Sequence, residues 1–378
     1  MTVHLGRKCA VVILVLGIAI GLVSCSSVLA KSRDGEPGLP PVPDDVQVQA
    51  LINARGNQGG IVQLPCRSLY IRHTITIRNP IELRGCGTSI GAPQGTFYKG
   101  IAIPPEFPGT RFVWMGGEGI AIDVGPENHD INARGTVLRD FNLENQSEGS
   151  IGIRINTQEP RVINVYVLNI GEQSALKPFS TAGITVGDLG MVNDFLCRDC
   201  YVRFQQDGIQ LLTVSEATID HSRILENFGN NIVLGDPHNI ANNIQIVNGT
   251  NFSNATCVTC GQPGAGIKIS RAANIVNIVD GYCESNRGAY CIDASNIIGG
   301  DLNQLNVRDT YFATGRLDTA RAAYAIALNA LDAHVLLSGN VFFGQSSAAV
   351  LNENSASISS QSNLLMNGTP AIIETKGN

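Results

Sequence analysis

Five short segments repeat one pattern along this chain: a small residue or Asn, then alternating apolar positions. They are Gly152-Ile153-Arg154-Ile155, Gly183-Ile184-Thr185-Val186, Gly208-Ile209-Gln210-Leu211, Asn231-Ile232-Val233-Leu234 and Gly266-Ile267-Lys268-Ile269. Weaker copies continue at Ile292, Ile326, Val350 and Ile372. The intervals from Ile153 are 31, 25, 23, 35, 25, 34, 24 and 22 residues, a base period of 22 to 25 interrupted by three longer steps. A unit this small cannot bury its own apolar face, so a fixed translational repeat of this length points to stacked coils.

Each unit also contains an earlier strand-like piece rich in β-branched and aromatic residues, such as INVYVLNI, DCYVRF, SRILEN, DGYCESN and GNVFFG. Helical periodicity is nearly absent after residue 60, and the period leaves no room for crossover helices. The expected fold is all-β, a single-stranded parallel β-helix, in which every strand pairs with the next coil around one continuous core. An all-β sandwich would carry tight hairpin pairs in place of a translational repeat. The one good amphipathic helix, VQVQALINARG at 46–56 with Val48, Leu51 and Ile52 on one side, is expected to cap the open first coil.

The N-terminus reads as an export signal. Arg7 and Lys8 precede an apolar run from Ala10 to Val23, too short to span a bilayer comfortably. Leu22-Val23-Ser24-Cys25 resembles a bacterial lipobox, giving a signal of residues 1–24 and lipidation at Cys25. Val28-Leu29-Ala30 is the alternative cleavage site, giving 1–30. Residues 25–45 follow as a Pro-rich tether, and 46–378 form the β-helix domain. The expected location is therefore the bacterial cell envelope, lipid-anchored, or the secreted fraction, with any membrane contact made only through that anchor. Of the 26 basic residues, Arg7 and Lys8 belong to the signal, which leaves 24 against 32 acidic ones and argues against a nucleic-acid partner. Eight of the ten cysteines lie beyond Cys25, an even number in an exported chain, so disulfides are expected and the pairs Cys197/Cys200 and Cys257/Cys260 are not read as a zinc site.

The stretch DDVQVQALINARGNQGGIVQLPCRSLYIRHTITIRNPIELRGCG resembles the opening of the pectate-lyase superfamily of right-handed β-helices. The shared features are an acidic pair, a capping helix, Gly-Gly before a strand, Leu-Pro-x-x-x-x-Tyr, and Leu-x-Gly-x-Gly one coil later. The resemblance covers about 44–378 and implies an extracellular polysaccharide or other glycan as partner, without supplying a reaction. The same comparison puts Cys66 and Cys86 at equivalent ends of successive coils, where a disulfide between them is expected.

Three inserts, 171–182, 255–265 and 314–324, fall at one turn of their coils, and the short coils at 187–250 leave a gap between them that is a candidate cleft. Aligning the coils on the repeated Ile gives an outward row of Arg154, Thr185, Gln210, Val233, Lys268 and Asp293. Four positions past the Ile lies a second row of Asp188, Thr213, Asp236, Arg271 and Asn296. With coils about 4.8 Å apart, Asp236 should face Arg271 and Lys268 should face Asp293, with His238 at the edge of that face. A histidine beside an acid, with two cations a coil away, suits removal of a proton alpha to a sugar carboxylate.

This local pattern is similar to alginate C5-epimerases, which carry an Asp-Pro-His turn and a Ser-Arg one coil later. The resemblance implies His238 as catalytic base or acid, Asp236 as its electrostatic partner and Arg271 as carboxylate binder, with Lys268, Gln210, Asp207 and Asp293 lining the substrate path. Val233 stands where that family has Tyr, and Asn239 where it has an acid. The structural alternative is that Asp236 to Asn239 form an ordinary turn. Polygalacturonase motifs are echoed only by Gln206-Asp207-Gly208 and Gly266-Ile267-Lys268. Asn230-Asn231 replaces the acidic pair, leaving Glu226 and Glu284 as possible partners for Asp207. No calcium-binding acidic cluster, metal site or cofactor is expected. Sequons at Asn248, Asn251 and Asn254 are read as turn and ladder residues. Two function classes emerge: a uronate epimerase or lyase, and a non-catalytic glycan-binding, adhesin or scaffold protein.

Overall fold

In each coil, short runs of alternating apolar and polar residues turn one side chain in two toward the axis, and parallel pairing to the next coil aligns the buried residues. The computed structural model describes residues 44–88, 109–127, 131–145, 147–169, 180–253, 264–284, 290–297, 302–313, 323–329, 333–354 and 356–375. Among these residues all strand pairing is parallel, in sheets of fifteen, eleven and four strands, and they form a right-handed parallel β-helix. The inserts expected to border the cleft lie almost wholly outside the described residues, as do Cys25, the tether and the Cys257/Cys260 pair.

The eleven-stranded sheet contains the repeated segments. Its register joins Ile153, Ile184, Ile209, Ile232, Ile267, Ile292, Ile326 and Val350 in one column, as the repeat predicts. These side chains are fully buried. The last step differs: Val350 pairs with Ile373, and Ile372 instead takes the bend position of Ala349, from which it packs against the core.

A corner separates the long sheet from the short strands of the third face. Asp140, Asn164, Asp199, His221, Asn248, Asp280, Asp309, Gly339 and Ser362 occupy it, all with φ between 45° and 67°. Asp and Asn tolerate this left-handed conformation better than other side chains, which explains their frequency at strand ends here, Asn248 included. Just beyond this corner, polar side chains inside the coil bind the backbone of the preceding one. Thr250 Oγ1 accepts from Ser222 N (3.3 Å), Asn340 Oδ1 from Thr310 N (3.0 Å), and Asn363 Oδ1 from Asn340 N (2.9 Å). Such ladders satisfy buried polar groups that would otherwise cost stability.

The cap forms as a helix over Asp45–Arg55, with Val48 and Ile52 buried. Leu51 is 48% exposed, because the coil touches only the i, i+4 stripe of the helix and Leu51 lies a hundred degrees off it. Polar groups fasten this helix. Asp44 accepts from Arg67 and from Tyr70 N, both at 2.8 Å, and Asp45 accepts from His73 N at 2.7 Å. Gln49 behaves as a substitute strand residue: its Oε1 accepts from Thr76 N at 2.8 Å and its Nε2 donates to Thr76 O at 2.9 Å. The first strand of the eleven-stranded sheet is thereby protected at its open edge. Cys66 and Cys86 are bonded beside the cap, with Cα atoms 5.5 Å apart, and Cys197–Cys200 and Cys283–Cys291 form further disulfides. The Cys283–Cys291 link joins two elements of one coil, a pairing the repeat alone does not indicate. Among the described residues, no helix is long and apolar enough to cross a membrane.

Candidate functional site

The outer face of the eleven-stranded sheet presents the row Asp123, Arg154, Thr185, Gln210, Val233, Lys268 and Asp293, adjacent by strand register. At its N-terminal end Arg154 grips Asp123 with two contacts, Nε to Oδ1 at 3.1 Å and Nη2 to Oδ2 at 2.7 Å. Thr185 then donates to Gln210 Oε1 (3.1 Å), and Gln210 Nε2 donates to Asp207 Oδ2 (2.9 Å). The other Asp207 oxygen accepts from the Asn230 backbone and side chain at 2.9 and 3.0 Å. Asp207 and Gln210 are thus one network, positioned by the strand Asp207–Leu211 and by the next coil.

Lys268 meets Asp293 as the row predicts, with Nζ to Oδ2 at 2.6 Å. Burial pushes the Asp293 carboxyl up, but the hydrogen bonds from Lys268 and Ser295 outweigh it and leave it below the usual carboxylate range.

The Asp236 carboxylate is engaged by its own turn. The carboxylate accepts from His238 N at 2.7 Å, Asn239 N at 2.8 Å and Asn239 Nδ2 at 2.9 Å, so it folds back on its own turn. Burial raises its pKa, yet these three bonds prevail and hold it below the ordinary value. The turn residues therefore do structural work of the kind Asp, Pro and Asn commonly do. His238 stays exposed at the tip, and Thr213 Oγ1 binds Asn239 Oδ1 at 2.7 Å from the preceding coil.

The turn and Arg271 do come together. Arg271 N donates to Leu234 O at 3.1 Å, and Arg271 O accepts from Ala241 N at 3.2 Å, so the arginine's main chain is bonded on both sides of the turn. Gly235 makes this stacking possible. With φ at 66°, a Cβ there would meet Arg271 O at 2.0 Å.

Glu226 and Glu284 do not join Asp207. They belong to the third face, where Glu226 pairs with Arg203 and Glu284 accepts from the Tyr282 hydroxyl. Having left the strand plane one corner earlier, they point away from the eleven-stranded sheet. Cys197 and Cys200 are buried in a disulfide, and among the described residues no three His, Cys, Asp or Glu side chains are grouped to hold a metal.

Extending the alignment two positions ahead of the buried Ile adds a feature that the two rows missed. Tyr290 and Tyr324 stand at that position in successive coils, and with Ala323, Ala348, Leu351 and Ala371 they form an apolar cluster outside the core. The Tyr324 hydroxyl lies 2.9 Å from Glu374 Oε2.

No protein-family model matches the chain, and no curated protein matches it in sequence. Solved structures do. The A-module of mannuronan C-5 epimerase AlgE4 from Azotobacter vinelandii is similar with a TM-score of 0.55 at 14% identity, covering 89% of this chain and 94% of that one. The surface protein and adhesin PfbA of Streptococcus pneumoniae is similar at 0.53 and 11%, covering 90% and 98%. DFA-IIIase of Arthrobacter chlorophenolicus A6 is similar at 0.58 and 10%, covering 91% and 90%. An epimerase, an adhesin and a third protein share the architecture at identities this low, so the likeness is one of fold. In its fold, this chain is a right-handed parallel β-helix.

Proposed function

We propose that the protein acts on a glycan laid along the outer face of the eleven-stranded sheet, and that it removes the C5 proton of a uronate residue with His238 as base. The observation that carries this reading is the stacking of the His238 turn on Arg271. The exposed imidazole can accept the proton, and the guanidinium one coil away neutralises the sugar carboxylate and the charge that develops on it. Asp236, held anionic by its turn, faces the imidazolium that forms. Lys268, already paired with Asp293, orients rather than neutralises. Asp207 and Gln210 offer acceptors and donors to sugar hydroxyls farther along the chain.

Proton removal at C5 has two outcomes. In epimerisation a proton returns to C5 from the opposite face. In cleavage the C5–H electron pair forms the C4–C5 double bond, the C4–O bond breaks, and the leaving oxygen takes a proton. His238 on one face can perform both transfers of the cleavage route, whereas epimerisation needs a second group and Val233 supplies none. Cleavage is therefore the preferred outcome. A panel of alginate and polygalacturonate oligomers, followed by C5 deuterium exchange and by absorbance of unsaturated ends, separates the two. Arg271→Ala should weaken either signal by raising KM and by lowering kcat, since both the bound carboxylate and the charge that develops on it lose their partner.

A non-catalytic glycan-binding or adhesin role is the second reading, favoured by the use of Asp236 as a turn former. Binding that persists with neither signal would establish it. The disulfides suit an oxidising compartment. Export, with either acylation of Cys25 or cleavage after Ala30, belongs to the same proposal.

A further inference from the structure

The outer face changes character along the axis. Toward its N-terminal coils it carries Asp123, Arg154, Thr185, Asp207 and Gln210, joined in polar pairs, whereas beyond Lys268 it becomes aromatic. Tyr290 is partly exposed and packs on Tyr324 and Leu351, which are buried beneath it in a cluster separate from the core. Asp293 and Glu353 both act electrostatically on the Tyr290 phenol, and Glu374 is bonded to Tyr324. By register, Tyr290 lies two coils past the His238 turn and Tyr324 three, or about 10 and 14 Å along the axis.

Resting on the reading of this face as a glycan path, we infer that Tyr290, backed by the buried Tyr324 and Leu351, and the carboxylates of Glu353 and Glu374 form a subsite for a neutral sugar unit. The Tyr290 ring takes the C–H face of a pyranose or furanose, and carboxylates accept from its hydroxyls. The same carboxylates repel a uronate in the low-dielectric setting of a protein surface cleft. The protein therefore takes a glycan in which an uncharged residue lies on the C-terminal side of the one presented to His238 and Arg271.

The test is calorimetric titration of the whole protein with neutral fructan, mannan, glucan and galactan oligomers, and separately with uronate oligomers. The variants are Tyr290→Ala, Tyr290→Phe, Glu353→Gln and Arg271→Ala. The expected result is binding of at least one neutral oligomer that Tyr290→Ala weakens about 10-fold. Tyr290→Phe should retain most of it. Glu353→Gln should relax the bias against uronates at this end, and it keeps the test usable should Tyr290→Ala not fold. Uronate binding that depends on Arg271, with no neutral oligomer bound, would overturn the subsite and leave the proposed function standing. Neutral binding unaffected by both Tyr290→Ala and Glu353→Gln would also overturn it, and no binding of either class removes both readings.

Discussion

Gly235, Tyr282 and Asp236 show how closely single residues are constrained by their surroundings. Gly235 has a left-handed φ and its Cα hydrogen points at the Arg271 carbonyl, so Gly235→Ala is expected to destabilise by at least about 2 kcal/mol. Urea denaturation checks this, and a variant as stable as the parent would mean that the turn can move off Arg271 freely. Tyr282 answers to pH in the opposite way to the carboxylates. Burial, then the hydrogen bond to Glu284 and the Glu284 charge, push its phenol from 10.0 up to about 12. The folded state thus prefers the protonated phenol. Its contribution is complete below pH 10 and is lost as the pH rises toward about 12. Thermal melts between pH 9 and 12 should fall more steeply for the parent than for Tyr282→Phe, which has no proton to lose. Asp236 has the reverse sign: its lowered pKa means that its turn is stabilised above the ordinary carboxylate range and loosens as acid protonates it.

Among the elements, the capping helix shows what an amphipathic reading captures and what it misses. Val48 and Ile52 were legible as the buried stripe, but Leu51 was not separable from them by hydropathy, since only the shape of the coil beneath decides how wide the stripe is. The polar fastening was illegible as well. Gln49 has no hydrophobic signature, yet it completes the hydrogen bonding of Thr76 at the first edge of the eleven-stranded sheet. Replacing it with Ala leaves a donor and an acceptor without that partner, a loss of about 1–3 kcal/mol. Solenoid ends open more readily than their middles, so the effect should be local. Amide exchange at Ile75 to Ile77 is expected to accelerate while that at Ile209 to Leu211 stays unchanged. Equal protection at both places in Gln49→Ala would show that the helix covers the edge without this side chain.

For the whole molecule, the repeat made the architecture readable because each coil must place an apolar residue at one point of the register, and Ile153 through Val350 do so without slip. That same register correctly paired Lys268 with Asp293 and set the Asp236 turn on Arg271. It failed where backbone geometry, not periodicity, decides the partner: Glu226 pairs with Arg203 and Glu284 with Tyr282 on another face, and Val350 pairs with Ile373. Tyr290 and Tyr324 were within reach of the same alignment, two positions before Ile292 and Ile326, but lie outside the rows that charge and histidine chemistry drew attention to. The central claim is that this face abstracts a proton from a uronate through His238. Its most direct test is the rise of unsaturated-end absorbance and C5 deuterium incorporation on alginate and polygalacturonate, comparing the parent with His238→Ala. The account predicts a signal in the parent that falls at least about 100-fold in the variant, with the fold and melting behaviour retained. A parent that yields neither signal on any uronate, or a His238→Ala variant as active as the parent, would contradict it.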